Sequence, residues 1–82
     1  MEWLEIVKEP GTYLVHYLEP KNKELEYRVL EITFGEYDGC SWLQEKWYSA
    51  DRPYTDTVHT CHFAEYFSKR RFIKLAEIGN TK

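Results

Sequence analysis

Thr12-Tyr13-Leu14-Val15-His16-Tyr17-Leu18 and, after a polar break, Glu24-Leu25-Glu26-Tyr27-Arg28-Val29-Leu30-Glu31-Ile32-Thr33-Phe34 decide the fold of this chain. Both stretches carry the β-branched and aromatic residues that fit a pleated, half-buried surface. In the first, alternation sets Leu14, His16 and Leu18 on one face and Tyr13, Val15 and Tyr17 on the other. A strand apolar on both faces belongs in the interior of its sheet. The second stretch alternates Leu25, Tyr27 and Val29 against Glu24, Glu26 and Arg28, then changes sides to Leu30, Ile32 and Phe34. One extra residue flips every later side chain, so the switch predicts a β-bulge near Val29-Leu30. Between the two, Glu19-Pro20-Lys21-Asn22-Lys23 reads as a polar hairpin loop.

Upstream, Glu9-Pro10-Gly11 reads as a turn, with proline presetting φ and glycine accepting the positive φ of a type II turn. Downstream, Gly35 to Gly39 is a second turn whose strongest element is Asp38-Gly39. Ser41 to Tyr48 is a third strand, Ala50 to Asp56 a loop around Pro53, and Thr57 to Phe63 a fourth strand. The C-terminal part mixes helical and strand periods. It reads as a short helix around 65–71, then a strand over Phe72 to Ile78 or a continuation of the helix, with 79–82 a frayed tail. Successive strands joined by short turns give a mainly β fold with minor α. The expected architecture is a small curled antiparallel meander of four to five strands, aromatics inside, with a short C-terminal helical turn.

Eighty-two residues suit one domain, 1–82, whose core must be dense because a small chain buries a modest share of its surface. Aromatic residues, 17% of the chain, meet that need, since each large ring buries roughly 150–250 Å². A charged fraction of 30% and a net charge of −3 describe a globular chain, not a disordered one. No apolar run approaches the ~20 residues of a membrane span. The acidic opening Met1-Glu2-Trp3-Leu4-Glu5 is unlike a secretory signal, so the expected location is the cytoplasm, with no membrane partner. In that reducing compartment Cys40 and Cys61 read as free thiols. Charge is divided unevenly: residues 1–45 hold ten acids against four bases, and 46–82 hold four acids against seven bases. Three of those bases are consecutive, at Lys69-Arg70-Arg71.

Four sets of residues carry the functional reading. His59, Cys61 and His62 are three metal-ligand types within one short stretch, but their spacing matches no paired zinc pattern. They read as a small core cysteine and two strand histidines, and no metal or cofactor is expected. Cys40 and Cys61 lie in no nucleophile turn, and no phosphate loop or His-Glu-x-x-His occurs, so the expectation is not an enzyme. Lys69, Arg70, Arg71 and Phe72, near Phe67 and Lys74, are the nucleic-acid-binding candidates, because arginines take phosphates and aromatics stack on bases. A solvated basic turn is the plainer reading. Trp42, Trp47, Tyr48 and Tyr54 are the protein-binding candidates, as Trp and Tyr dominate interface hot spots. Trp42 and Trp47 are an odd number of residues apart, so they face opposite sides and only one is easily core.

Several of these residues together resemble the DUF551 family, small domains of phages and prophages. The likeness rests on Trp3, the Pro10-Gly11 turn, the strand Tyr13-Leu14-Val15-His16-Tyr17, Gly39-Cys40-Ser41-Trp42 and the closing stretch Thr57 to Glu65. It covers roughly residues 3–65. Extra residues stand between Val58 and His62, and a basic segment replaces the family's Pro-rich ending. The resemblance implies a phage-type accessory protein acting on a host component in a bacterial cytoplasm. The expected function is therefore a non-enzymatic module that binds a host protein, inhibiting a defence or regulatory factor. The alternative is a nucleic-acid-binding module using the basic C-terminal segment.

Overall fold

Tyr13, Val15 and Tyr17 alternate with Thr12, Leu14 and His16 along β1 (Gly11–Tyr17), and the rest of the molecule is arranged about that strand. The computed structural model describes residues 2–49 and 52–77. After β1 come β2 (Tyr27–Tyr37), β3 (Cys40–Ser49), β4 (Arg52–His59), a short helix α1 (Phe63–Ser68) and β5 (Arg70–Ala76). They form one five-stranded antiparallel sheet in the order β4-β3-β2-β1-β5. The fold is thus mainly β with one short C-terminal helix, as expected. β1 to β4 are the meander; α1 then carries the chain back across the sheet, so that β5 joins β1 at the far side. β1 takes the interior place that its two apolar faces predict.

Register sorts the side chains into two faces. Tyr13 stands opposite Leu30, Ile32 opposite Glu45, and Val15 opposite Phe72. With Leu43 these line the inner face, and Tyr66 and Phe67 of α1 and Val7 pack onto it. Tyr13, Val15, Leu30, Ile32, Leu43 and Phe72 are all but inaccessible to solvent. Truncating such a side chain to alanine costs roughly 2–5 kcal/mol, the transfer term plus the cavity left behind. A six-residue helix has no stability of its own, and α1 exists because Tyr66 and Phe67 dock here. The N-terminal segment straps the β5 side: Leu4 pairs with Phe72 through two backbone hydrogen bonds of 2.7 and 3.0 Å. Lys74 reaches from β5 to Glu9 at 2.7 Å.

Several expectations are corrected. There is no bulge at Val29-Leu30: the ladder with β1 runs through these residues unbroken, and the ladder with β3, from Glu31 onward, has no register shift. The apparent switch arises because Arg28 lies on the inner face while Tyr27 and Val29 lie outward, each 52% exposed. The irregularity is instead between Thr12 and Tyr13, opposite β5. Lys23–Leu25 form a 3₁₀ turn, so β2 starts at Tyr27 and not at Glu24. Gly11 opens β1 without a positive φ; it is glycine because an added Cβ would lie 2.8 Å from both the Ala76 carbonyl oxygen and Lys74 Cε. The second turn shrinks to Asp38-Gly39, φ 54° and 80°, the left-handed pair of a type I′ hairpin.

The expected loop over Ala50 to Asp56 is mostly strand, since β4 begins at Arg52; Ala50 and Asp51 lie outside the described residues. β4 in turn ends at His59, and Thr60–His62 form a 3₁₀ turn. Pro53 is tolerated because β4 is an edge, where a missing N–H costs no ladder bond. The helix expected around 65–71 occupies Phe63–Ser68, and the following strand runs Arg70–Ala76. The expected tail at 79–82, with Ile78, lies outside the described residues.

Candidate functional site

α1 covers only part of the inner face. Beyond it, at the end bordered by the Glu19–Leu25 connection, the face is closed by polar and aromatic side chains. Tyr54 of β4 stacks on Trp47 of β3, ring centroids 5.8 Å apart and 17° from parallel. Arg28 of β2 lies over the other partner ring, 4.9 Å from Trp47, and 6.0 Å from Tyr17 of β1. Arg70 of β5 lies 5.2 Å from the same Tyr17 ring and 4.1 Å from Tyr66 of α1. Each strand and the helix contribute one member to this ladder of rings and guanidinium groups. Cation–π contacts of this kind contribute about 0.5–1 kcal/mol when exposed and ~2 when desolvated.

Beneath the ladder sits Glu45, 4% exposed and the one buried acid among the described residues. Its Oε2 accepts a short hydrogen bond from the Tyr66 hydroxyl and lies 3.9 Å from Arg70 Nε. Burial pushes the Glu45 carboxyl above its ordinary range; the Tyr66 hydrogen bond and the Arg70 charge pull the other way. The phenol of Tyr66 is held far above its usual value, first by burial and then by the adjacent Glu45 carboxylate. Tyr17 is raised for the same two reasons. The cleft in front of this layer has a volume of about 360 Å³, and Lys21, Arg28, Lys69 and Arg70 line it together with Glu19, Glu45 and Asp56.

The basic run follows strand alternation. Arg70 points inward and donates to the Tyr66 carbonyl oxygen at 3.1 Å. Arg71 points outward and donates to the carbonyl oxygens of Phe67 at 3.3 Å and Arg70 at 2.7 Å. Both therefore satisfy carbonyls at the end of α1, a favourable place for cations. Lys69 is exposed at the helix terminus, and Phe72 is enclosed in the core with no ring face open to a base.

The four aromatics singled out for protein binding divide between the faces. Trp47 and Tyr54 belong to the inner ladder. Trp42 and Tyr48 are on the outer face, Tyr48 60% exposed with Lys46 Nζ 5.5 Å from its ring centroid. The two tryptophans do face opposite ways, but neither is enclosed: Trp47 packs half-buried against the core, and Trp42 lies across Gly35. Cys61 is exposed in the 3₁₀ turn, not a core residue, and both cysteines are free thiols. Among the described residues no three of His, Cys, Asp and Glu stand together as a metal site.

Residues of the outer face that the sequence reading passed over are Trp3, His16, Tyr27 and Val29. His16 stacks on Tyr27 at 4.6 Å and 11°, and Trp3 lies 5.6 Å from His16. His16 Nε2 is 3.1 Å from Glu26 Oε2. Beside this cluster, Val29 pairs with Leu14 and Leu14 with Ile73, which is itself only 9% exposed. Continued past its last pair, Glu31 with Lys46, the β2–β3 register brings Tyr48, and with it Pro53, level with Val29. An apolar row thus crosses the sheet on the side that no helix covers. No family model, curated protein or solved structure matches the chain.

Proposed function

We propose that this protein is a non-enzymatic binding module that engages a protein partner through the outer face of its sheet. The observation that carries the reading is the uncovered apolar row, with Trp3 40%, Tyr27 52%, Val29 52% and Tyr48 60% exposed on one side of one sheet. Contiguous exposed apolar surface of this kind marks interaction sites. Trp and Tyr are the residues that anchor interfaces, and a standard interface takes ~800 Å² from each partner. The fitting partner presents a flat, largely apolar surface. The phage-type context implied by the DUF551 resemblance would make it a host protein, and a defence or regulatory factor the natural target.

The alternative reading, nucleic-acid binding through Lys69, Arg70, Arg71 and Phe72, has less support. Arg70 and Arg71 leave the strand on opposite faces, both are engaged by helix carbonyls, and Phe72 is enclosed.

Val29→Glu tests the outer face. It places a charge in the middle of the row at an exposed strand position, where the fold tolerates it. Affinity purification from bacterial lysate, with nuclease, should recover a stoichiometric protein that the variant loses and that Lys8→Gln retains. Light scattering of the purified protein separates a foreign partner from a second copy. Equal recovery by wild type and Val29→Glu would sink the proposal.

A further inference from the structure

The cleft at the open end of the inner face points to a second site, independent of the outer surface. We infer that it binds the phosphate group of a small ligand, with Arg28 as the residue that takes it. Three observations converge. First, Arg28 is positioned without being consumed. Its guanidinium lies 4.9 Å from the Trp47 ring and 6.0 Å from Tyr17. Among the described residues no carboxylate pairs with it, although the buried Glu45 carboxylate is near enough to feel its charge. A guanidinium held by its faces keeps its N–H edges free, and its fork of donors matches a phosphate.

Second, the charges of the cleft do not cancel once existing bonds are counted. Glu45 accepts from Tyr66 and faces Arg70. Asp56 accepts from the Thr57 N–H at 3.0 Å. With Arg70 set against Glu45, Arg28, Lys21 and Lys69 face Glu19 and Asp56 as cleft-lining charge, a surplus of one cation, and Lys69 lies 3.9 Å from Glu65 in an exposed pair. That surplus favours an anion, and the fork of donors on Arg28 matches the oxygens of a phosphate. Third, the space is large enough. About 360 Å³, walled by Tyr17, Pro20, Leu25 and Trp47 as well as the cations, is within the range of ligand sites. It leaves room for a planar or apolar body behind the phosphate.

The test is a titration of the full chain followed by amide, indole and Arg Nε–H NMR signals, with inorganic phosphate, adenosine monophosphate and adenosine as probes. Expected is a saturable shift of Arg28 Nε–H and the Trp47 indole with phosphate and with the nucleotide. Tighter binding of the nucleotide than of phosphate assigns part of the recognition to the ligand's body; equal binding assigns the site to phosphate alone. Arg28→Met should weaken binding by about tenfold or more, the loss of a charge-assisted hydrogen bond. Lys21→Ala, an exposed loop change that leaves the fold untouched, should weaken it severalfold, and Lys8→Gln should leave it unchanged. The assignment is overturned by adenosine shifting the same signals as strongly as the monophosphate, by absence of saturation at millimolar probe, or by undiminished binding in Lys21→Ala and Arg28→Met.

Discussion

Tyr66→Phe removes one oxygen, and the structure says how that loss must depend on pH. Glu45 is 4% exposed and its carboxylate accepts from the Tyr66 hydroxyl. A hydrogen bond to a charged group contributes about 1.5–3 kcal/mol, one between neutral groups ~0.5–1.5. For a domain of this size 1 kcal/mol moves Tm by about 4–8 °C. The variant should therefore lose about 10 °C above the folded pKa of Glu45, where the carboxyl is ionised, and roughly half as much below it, where it is protonated. The folded pKa of Glu45 is raised above its ordinary value of 4.5. Its stabilising contribution is thus fully present below the unfolded pKa and is lost as pH rises through the folded one. Deleting a bond that favours the charged form raises the folded pKa further and steepens that loss. Glu45→Gln keeps an acceptor for Tyr66 and removes the titration, so it should flatten the profile in this window. Above the folded pKa it should match or exceed wild type, since the raised carboxyl pKa means that the fold, Arg70 included, favours the uncharged form. Thermal and urea unfolding of the three proteins across this range decides the matter. Equal losses for Tyr66→Phe at both ends, or a wild-type slope in Glu45→Gln, would refute the reasoning.

Gly35→Ala places a Cβ 2.5 Å from Trp42 Nε1 and 2.6 Å from its Cε2. The indole must swing off the strand, costing about 1–3 kcal/mol; the Trp42 indole NMR signal should move while that of Trp47 stays, and an unmoved Trp42 signal would contradict the packing. The free edge β4 is guarded by Pro53, which has no N–H, and by Asp56, whose carboxylate takes the Thr57 N–H at 3.0 Å. Pro53→Val combined with Asp56→Ala should expose a pairing edge and give association that grows with concentration in light scattering; behaviour identical to wild type would show that the edge is protected by other means.

What was legible in the sequence was what alternation alone decides. β1 could be placed inside the sheet because both of its faces are apolar, and the odd spacing of Trp42 and Trp47 put them on opposite sides. β2 misleads because Arg28 shares its side with Glu24 and Glu26, and an arginine among glutamates reads as a polar face. Its stem and guanidinium in fact lie among rings on the inner face, and a long cation can cover apolar surface without being outside it. With Arg28 turned inward the alternation is regular and no bulge is needed. β4 misled because Pro53 reads as a breaker, which holds for a central strand and not for an edge. The ladder itself was illegible. It joins Tyr17 to Arg70 and Trp47 to Tyr54 through register between strands, and register of remote strands is not written in local pattern. The basic run Lys69-Arg70-Arg71 stands out in the sequence for its charge. Its visible work is to satisfy the end of a helix too short to be recognised by period.

The ladder can also be weighed against the simplest account of it, that it merely closes the core. α1 has six residues, a length of about 9 Å, whereas the eleven residues of β2 extend roughly 35 Å. A single short helix cannot cover such a face, so other side chains must close what it leaves open. Apolar side chains would close it as well, and Leu30 and Ile32, next along β2, do so under the helix. Arginine at 28 is therefore not required by packing. Its stem and flat group cover the rings, but its donors add nothing to the fold while they face the cleft. Methionine at this position keeps the stem and the contact with Trp47. If closure is the whole role, Arg28→Met changes stability by less than about 1.5 kcal/mol, as volume-conserving swaps do, and nothing else. If the donors are there for an anion, the same variant keeps its Tm and loses phosphate binding. Unfolding midpoints and the phosphate titration, measured on one preparation, separate the two roles. Retained stability with retained binding would leave the guanidinium without the role assigned to it.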